Sequence, residues 1–129
     1  CFGMPLTIIE PAGFAWTDAG FRRAGMDYLH QAEIRRSASW EAFQASLGGR
    51  RLVLLSTKAT LSYVDFSFNT GDVLMLGRES AGVPDHVRDS VLHRVCIPMR
   101  PPARSLNVAL ATAIVSAEAL RQLSQKKLA

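Results

Sequence analysis

A run of four apolar residues that leads directly into a glycine loop is the feature that most limits how this chain can fold. Residues 73–76 are expected to form a buried strand, and the loop that follows contains Gly77 and Gly82 together with Arg78 and Glu79. In open α/β sheets, a buried strand that ends in such a loop is where ligands bind. The sequence therefore predicts a ligand site at the end of this strand.

The same arrangement recurs further along the chain. Residues 95–99 form a second short apolar run, and a stiff loop with two prolines leads to Ser105 and Asn107. A long helix is expected from about residue 106 to residue 126, because its apolar residues recur at helical spacing. Ser105 and Asn107 are also good N-caps for that helix. Two strand–loop units with polar residues at their ends nevertheless indicate a built site rather than only a packed core.

Strands and helices alternate along the sequence, which predicts an α/β fold. Strands are expected at 6–10, 28–34, 51–56, 73–76 and 94–98, and helices at 18–24, 40–47, 84–91 and 106–126, with an edge segment near 63–68. Such alternation is typical of a mostly parallel sheet with helices on both faces. At 129 residues, we expect one domain, spanning 1–129.

Several classes of protein are disfavoured by the composition. No apolar run reaches the ~20 residues that a membrane-spanning helix needs, and the chain opens without a signal-peptide pattern, so we expect a cytoplasmic location. Cys1 and Cys96 form neither a disulfide framework nor a zinc motif, and the three histidines lack metal-ligand spacing, so no metal is expected. The absence of a GxGxxG motif after any strand argues against a dinucleotide-dependent oxidoreductase.

The charge of the chain is modestly basic and is carried largely by arginine. The formal net charge is +4, and several arginines occur as doublets or near the two candidate loops. Because the guanidinium fork pairs well with phosphate, this placement favours a polyanionic partner. A solvated helix face explains the doublet Arg22 and Arg23 equally well.

Four segments of the sequence occur together, in the same order, in one known family. They are residues 8–16, 22–28, 76–84 and 97–107. On these segments the chain resembles the knotted SPOUT-superfamily RNA methyltransferases. It is most similar to the bacterial tRNA 2′-O-methyltransferases that modify the cytidine or uridine at the wobble position of the anticodon. The resemblance covers essentially the whole chain.

The resemblance implies a SPOUT-type fold with a C-terminal trefoil knot and a homodimer in which the last helix takes part. It implies that S-adenosylmethionine is the cofactor, that the anticodon loop of tRNA is the substrate, and that no metal is needed. The implied cofactor-binding residues are Leu55, Gly77, Ile97, Ser105 and Leu106. The implied catalytic residues are Glu79 and Asn107, and the implied RNA-binding residues are Arg22, Arg23 and Arg104. A bulky residue at Gly77 is expected to block the adenosine site by overlap.

One motif of the family has no counterpart in this sequence. The family carries an Asn, a Gly and an Arg in a helix near the N-terminus, ahead of the position that corresponds to Cys1. We therefore expect an N-terminal strand and helix to be missing. Two alternative functions stay open for that reason: a non-catalytic RNA-binding module that retains the fold, and a 2′-O-methyltransferase that acts on another tRNA or rRNA position.

Overall fold

The structure is a computed structural model that describes residues 2–13, 32–79 and 81–128. Contacts between residues divide the chain into two compact units, Cys1–Gly48 and Gly49–Ala129. The predicted helix at 18–24 lies outside the described residues, as do Arg22 and Arg23. The expectation of one domain over 1–129 stays a prediction.

Among its described residues, the first unit contains a pair of parallel strands and one short helix. Strand β1, Leu6–Ile9, pairs in parallel with β2, Ile34–Ser37. Helix α1, Trp40–Ser46, follows β2. It begins at the predicted N-cap Ser39, whose hydroxyl accepts a hydrogen bond from the Ala42 amide at 3.1 Å.

Strand β2 lies further along the chain than its apolar pattern indicates. Residues 28–31 of the predicted strand at 28–34 lie outside the described residues, and of the remainder only Ile34 belongs to β2, which continues through Arg35 and Arg36 to Ser37. Both arginine side chains are exposed, and each donates through Nε to a carboxylate: Arg35 to Glu33 at 2.8 Å and Arg36 to Glu10 at 3.0 Å. An exposed strand with paired charges has no apolar run, so the sequence pattern placed it too early.

The second unit is built on three parallel strands, as the α/β prediction requires. Strands β3 (Leu52–Leu55), β4 (Val73–Leu76) and β5 (His93–Val95) form a sheet in the order β4-β3-β5. Two helices, α2 (Asp85–Ser90) and α3 (Val108–Leu128), belong to the same unit. β3 is paired on both edges, and its residues Val53 and Leu54 are almost fully buried.

The core of this unit lies between the sheet and α3. Its buried members are Val53, Phe66, Phe68, Val95, Val115 and Ala119. The edge segment expected near 63–68 is not a strand: the isolated bridge between Ser62 and Cys96 comes just before it, and residues 63–65 form a turn. That turn places two aromatic rings in the core, at a centroid distance of 4.9 Å.

Side chains of α3 supply hydrogen-bond partners for the backbone of the turn at 66–69. Gln122 accepts from the Phe68 amide at 3.0 Å and donates to the Phe66 carbonyl at 3.0 Å. Lys126 donates to the Phe68 carbonyl at 2.6 Å and to Asn69 Oδ1 at 3.1 Å. Because a buried backbone group without a partner is costly, these two side chains stabilise a segment that no strand pairs with.

Glu118 holds Gln122 in place from one helical turn away. Its carboxylate accepts from Arg121 at 2.7 and 2.8 Å and from Gln122 Nε2 at 2.8 Å. These hydrogen bonds, the one from Arg121 above all, lower the pKa of the Glu118 carboxyl from 4.5 to about 2. The ionised form is therefore the one that the folded chain prefers.

We expect the Glu118 contribution to stability to disappear in acid. Since the pKa is lower in the folded chain, the contribution is complete above pH 4.5 and is lost as the pH falls toward about 2. Glu118→Gln should accordingly unfold more easily than the unchanged protein at neutral pH, with the difference shrinking across that window. Urea unfolding followed by circular dichroism at a series of pH values measures it.

The matched control is Glu33→Gln, which removes a carboxylate from an ion pair whose two side chains are both more than half exposed. Exposed pairs contribute little, so this variant should differ only slightly from the unchanged protein at neutral pH. A constant difference between Glu118→Gln and the unchanged protein from pH 4.5 to pH 2 would contradict the assignment.

Candidate functional site

The carboxyl ends of β3, β4 and β5 meet at a cavity of about 370 Å³. Parallel strands in one sheet end at the same edge, so the three loops that leave them come together there. The volume is in the range of sites that hold small organic ligands. The strand ends and the loops after them contribute residues 54–58, 76–79, 81–83 and 104–106 together with Ile97 and Met99. The helices contribute Arg88, Val108 and Ala111.

Most of the residues predicted from the sequence lie at this cavity. All five expected cofactor-binding residues line it: Leu55, Gly77, Ile97, Ser105 and Leu106. Glu79 and Arg104 line it as well. The fold thus brings together residues from three separate segments, two that the sequence pattern singled out and one, at Leu55, that the family resemblance implied.

Asn107 is the exception among the described candidates. It does not line the cavity, and its Oδ1 accepts a hydrogen bond from the Ala109 amide at 2.9 Å. Its carbonyl accepts from the Ala111 amide at 2.9 Å, which is the first bond of the helical ladder. Asn107 is therefore the N-cap of α3, whereas Ser105, the other candidate cap, faces the cavity.

The loop after β4 is closed on itself by two backbone hydrogen bonds. The Arg78 amide donates to the Gly82 carbonyl at 3.0 Å, and the Gly82 amide donates to the Arg78 carbonyl at 2.8 Å. Gly82 has a φ of +67°, which other residues rarely adopt. A Cβ on Gly77 would lie 2.4 Å from the Gly82 carbonyl carbon and 2.6 Å from the Val83 nitrogen.

This close approach adds a second reason for glycine at position 77, beside the expected one, which stays a prediction. The expectation was that a bulky residue there blocks the adenosine site by overlap. The first group that any side chain at position 77 meets is the backbone of the same loop. Gly77 is therefore required for the loop to close, before any ligand is considered.

The structure adds residues that the sequence analysis did not assign to the site. Lys58 lies in the loop after β3, Arg88 on α2 and Ala111 on α3. Two of these, Lys58 and Arg88, are cationic. Together with Arg78 and Arg104 they give the described part of the cavity four cationic side chains, against the one carboxylate of Glu79. The only available signal was regional: residues 49–129 carry eleven Lys and Arg but six Asp and Glu.

The part of the chain that the structure describes lacks two features. No three or more His, Cys, Asp or Glu side chains come together there as a group that could hold a metal ion. No helix among these residues is both long enough and apolar enough to cross a membrane.

Comparison with known proteins connects the cavity to a family. Residues 1–117 match the SpoU rRNA Methylase family. A tRNA (cytidine(34)-2′-O)-methyltransferase of Beijerinckia indica is 58% identical over 125 residues, which are 95% of this chain and 78% of that protein.

Solved structures agree with the sequence match. One that concerns the 2-OH methylation of C/U34 on tRNA superposes with a TM-score of 0.87 at 37% identity, over 94% of this chain and 80% of that one. An AdoMet-bound rRNA methyltransferase from Sinorhizobium meliloti superposes with a TM-score of 0.76 at 28% identity, over 92% of this chain and 46% of that one.

We expect Gly77→Ala to destabilise the chain, because the added Cβ overlaps the backbone of the closed loop. Overpacking of this kind costs about 1–3 kcal/mol, and denaturant unfolding measures it. Gly13→Ala is the control: a Cβ at that glycine meets nothing within 4 Å, so the change should stay within about 0.5 kcal/mol. Equal effects of the two substitutions would show that the loop closure is not what requires Gly77.

Proposed function

Because this chain belongs to the SpoU rRNA methylase family, we infer that its cavity binds S-adenosylmethionine and that the protein methylates the ribose 2′-hydroxyl of nucleotide 34 of tRNA. The observation that carries this conclusion is the 58% identity, over nearly the whole chain, to a tRNA (cytidine(34)-2′-O)-methyltransferase. The neighbouring structure concerned with C/U34 supports cytidine or uridine as the acceptor.

The residues at the cavity fit the cofactor chemically. Leu55, Ile97 and Leu106 supply apolar walls suited to an adenine ring, and Ser105 supplies a hydroxyl. Glu79 is the one acidic residue among the described residues at the cavity, and its carboxylate is suited to the positively charged groups of the cofactor. The AdoMet-bound neighbour shows that this fold accepts the cofactor.

S-adenosylmethionine, when bound, supplies an electrophilic methyl group. What the chain itself has to do is hold two reactants in line, exclude water and remove one proton from the ribose hydroxyl. The described residues of the loop, 77–79 and 81–83, form one wall of the cavity, and the two Arg78–Gly82 hydrogen bonds with the tight Gly77 contact hold the two ends of the loop together. Glu79 is the proposed catalytic residue on this wall.

Asn107 is proposed to contribute to catalysis from the start of α3. Its carboxamide oxygen is committed to the Ala109 amide, and Ser105 and Leu106, immediately before it, line the cavity. Capping α3 at this residue fixes the point at which the cavity loop becomes helix. Its role is therefore coupled to the position of the two residues that precede it.

We propose that the RNA is bound through its phosphates. Arg104 supports this, since it is exposed and lines the cavity. Arg22 and Arg23 are proposed as further contacts on the ground of the resemblance. The excess of basic residues in 49–129 supports a polyanionic substrate on this unit.

The finer points of architecture are also proposals. The family and the neighbouring structures support a single SPOUT-type domain with helices on both faces of the sheet and a C-terminal trefoil knot. A homodimer through α3 is supported by its exposed apolar residues Leu110 and Ile114, which lie beside the small exposed residues Ala113 and Ala117. A cytoplasmic location follows from tRNA as the substrate.

The activity is tested with labelled S-adenosylmethionine and unmodified tRNA, followed by mapping of the modified nucleoside. We expect one 2′-O-methylated cytidine or uridine at position 34. A tRNA with a 2′-deoxynucleotide at that position is the matched control and should accept no label. Label at another tRNA position or in rRNA would support the alternative methyltransferase, and RNA binding without transfer would support the non-catalytic module.

Arg104→Gln should weaken tRNA binding without changing the affinity for the cofactor. Losing one phosphate contact reduces the slope of log Kd against log salt concentration by about one unit. Filter binding of tRNA at several salt concentrations measures it. Arg94→Gln, an exposed arginine of β5 that does not line the cavity, serves as the control. An unchanged slope for Arg104→Gln would remove Arg104 from the RNA surface.

A further inference from the structure

Helix α2 places one side chain at the cavity, that of Arg88. The side chain is only 23% exposed, whereas the other three cationic residues at the cavity, Lys58, Arg78 and Arg104, are exposed. Arg88 is therefore the most recessed positive charge at the site. The sequence places it only among the arginines near the two candidate loops, which favour a polyanionic partner, and the family resemblance assigns it no role.

Two of the three guanidinium nitrogens of Arg88 are engaged by neighbouring carboxylates. Nη1 donates to Asp85 Oδ1 at 2.6 Å, and Nε donates to Asp89 Oδ1 at 3.1 Å. Nη2 donates to no acceptor among the described residues. Among the described residues, only the Ser62 hydroxyl is a buried side-chain polar atom without a partner. Since Nη2 of Arg88 has no partner and is not such an atom, it is accessible. Arg88 lines the cavity.

The two aspartates orient the Arg88 guanidinium and leave it able to bind a further anion. Their side chains are 79% and 63% exposed, so solvent screens their negative charge. They occupy different nitrogens of a planar group, which fixes the plane of the guanidinium and leaves the Nη2 hydrogens as the remaining donors. A recessed arginine with one oriented nitrogen free is suited to donate hydrogen bonds to an anionic oxygen that enters the cavity.

We propose that Arg88 binds the α-carboxylate of the methionyl end of S-adenosylmethionine through Nη2. The proposal rests on the proposed function, which puts this cofactor in the cavity. The α-carboxylate is the one anionic group of that molecule. A phosphate of the RNA backbone is the competing anion, but a folded polyanion approaching the cavity meets the exposed cations Lys58 and Arg104 first.

The test compares two ligands that differ only in this carboxylate: S-adenosylmethionine and its decarboxylated analogue, S-adenosylmethioninamine. We expect the unchanged protein to prefer S-adenosylmethionine by about 10-fold or more in Kd, the range for a hydrogen bond between charged groups. Arg88→Gln should bind the decarboxylated analogue as well as the unchanged protein does and should lose the preference. Isothermal titration calorimetry measures all four affinities.

Each alternative has its own signature in the same experiment. Arg94→Gln is the matched control and should keep the full preference, because that exposed arginine of β5 does not line the cavity. If Arg88→Gln weakens both ligands equally, Arg88 only supports the cavity wall. If it keeps the preference and weakens tRNA instead, the bound anion is a phosphate. Both results overturn the proposal while leaving the proposed function intact, whereas failure of the unchanged protein to bind either ligand would overturn both.

Discussion

The candidate site depends on the parallel hydrogen-bonded ladders on either side of β3. Val53 and Leu54 in this central strand are almost fully buried, and β4 and β5 both run in the same direction as β3. Parallel pairing sends all three following loops to one edge of the sheet. The cavity exists because those loops have to leave the sheet side by side, and every residue that lines it comes from these loops, the strand ends that feed them, or the helices α2 and α3.

The sequence was sufficient to predict the strands and loops that build this edge, because both leave strong local signals. The apolar run at 73–76 matches β4 residue for residue, and the loop glycines occur where the backbone approaches itself most closely. The helix at 40–47 and its cap Ser39 were likewise predicted from local pattern alone. Placing Leu55, Gly77 and Ile97 at one cavity required the order of the motifs in a known family, since they are far apart in sequence.

Features that depend on contacts between distant residues had no such local signal. Arg88 stands in an ordinary charged helical turn, and only the packing of α2 beside the loop after β4 places it at the cavity. Asn107 fits either a cap or a catalytic group by type, and the 2.9 Å hydrogen bond to the Ala109 amide identifies the cap. The sequence at 66–69 resembles an edge strand because its aromatic residues alternate with polar ones. In the structure, the backbone of this segment is hydrogen-bonded to side chains of α3 instead.

The dependence of that turn on α3 has a consequence for how the chain is made. Phe66 and Phe68 are synthesised more than fifty residues before Gln122 and Lys126, the residues that satisfy their backbone. Until the end of α3 has emerged from the ribosome, the Phe68 amide and the Phe66 and Phe68 carbonyls lack these partners and can hydrogen-bond only to water. The sheet edge that carries the cavity can form early from β3, β4 and β5, but the core beneath it closes only when the last helix arrives.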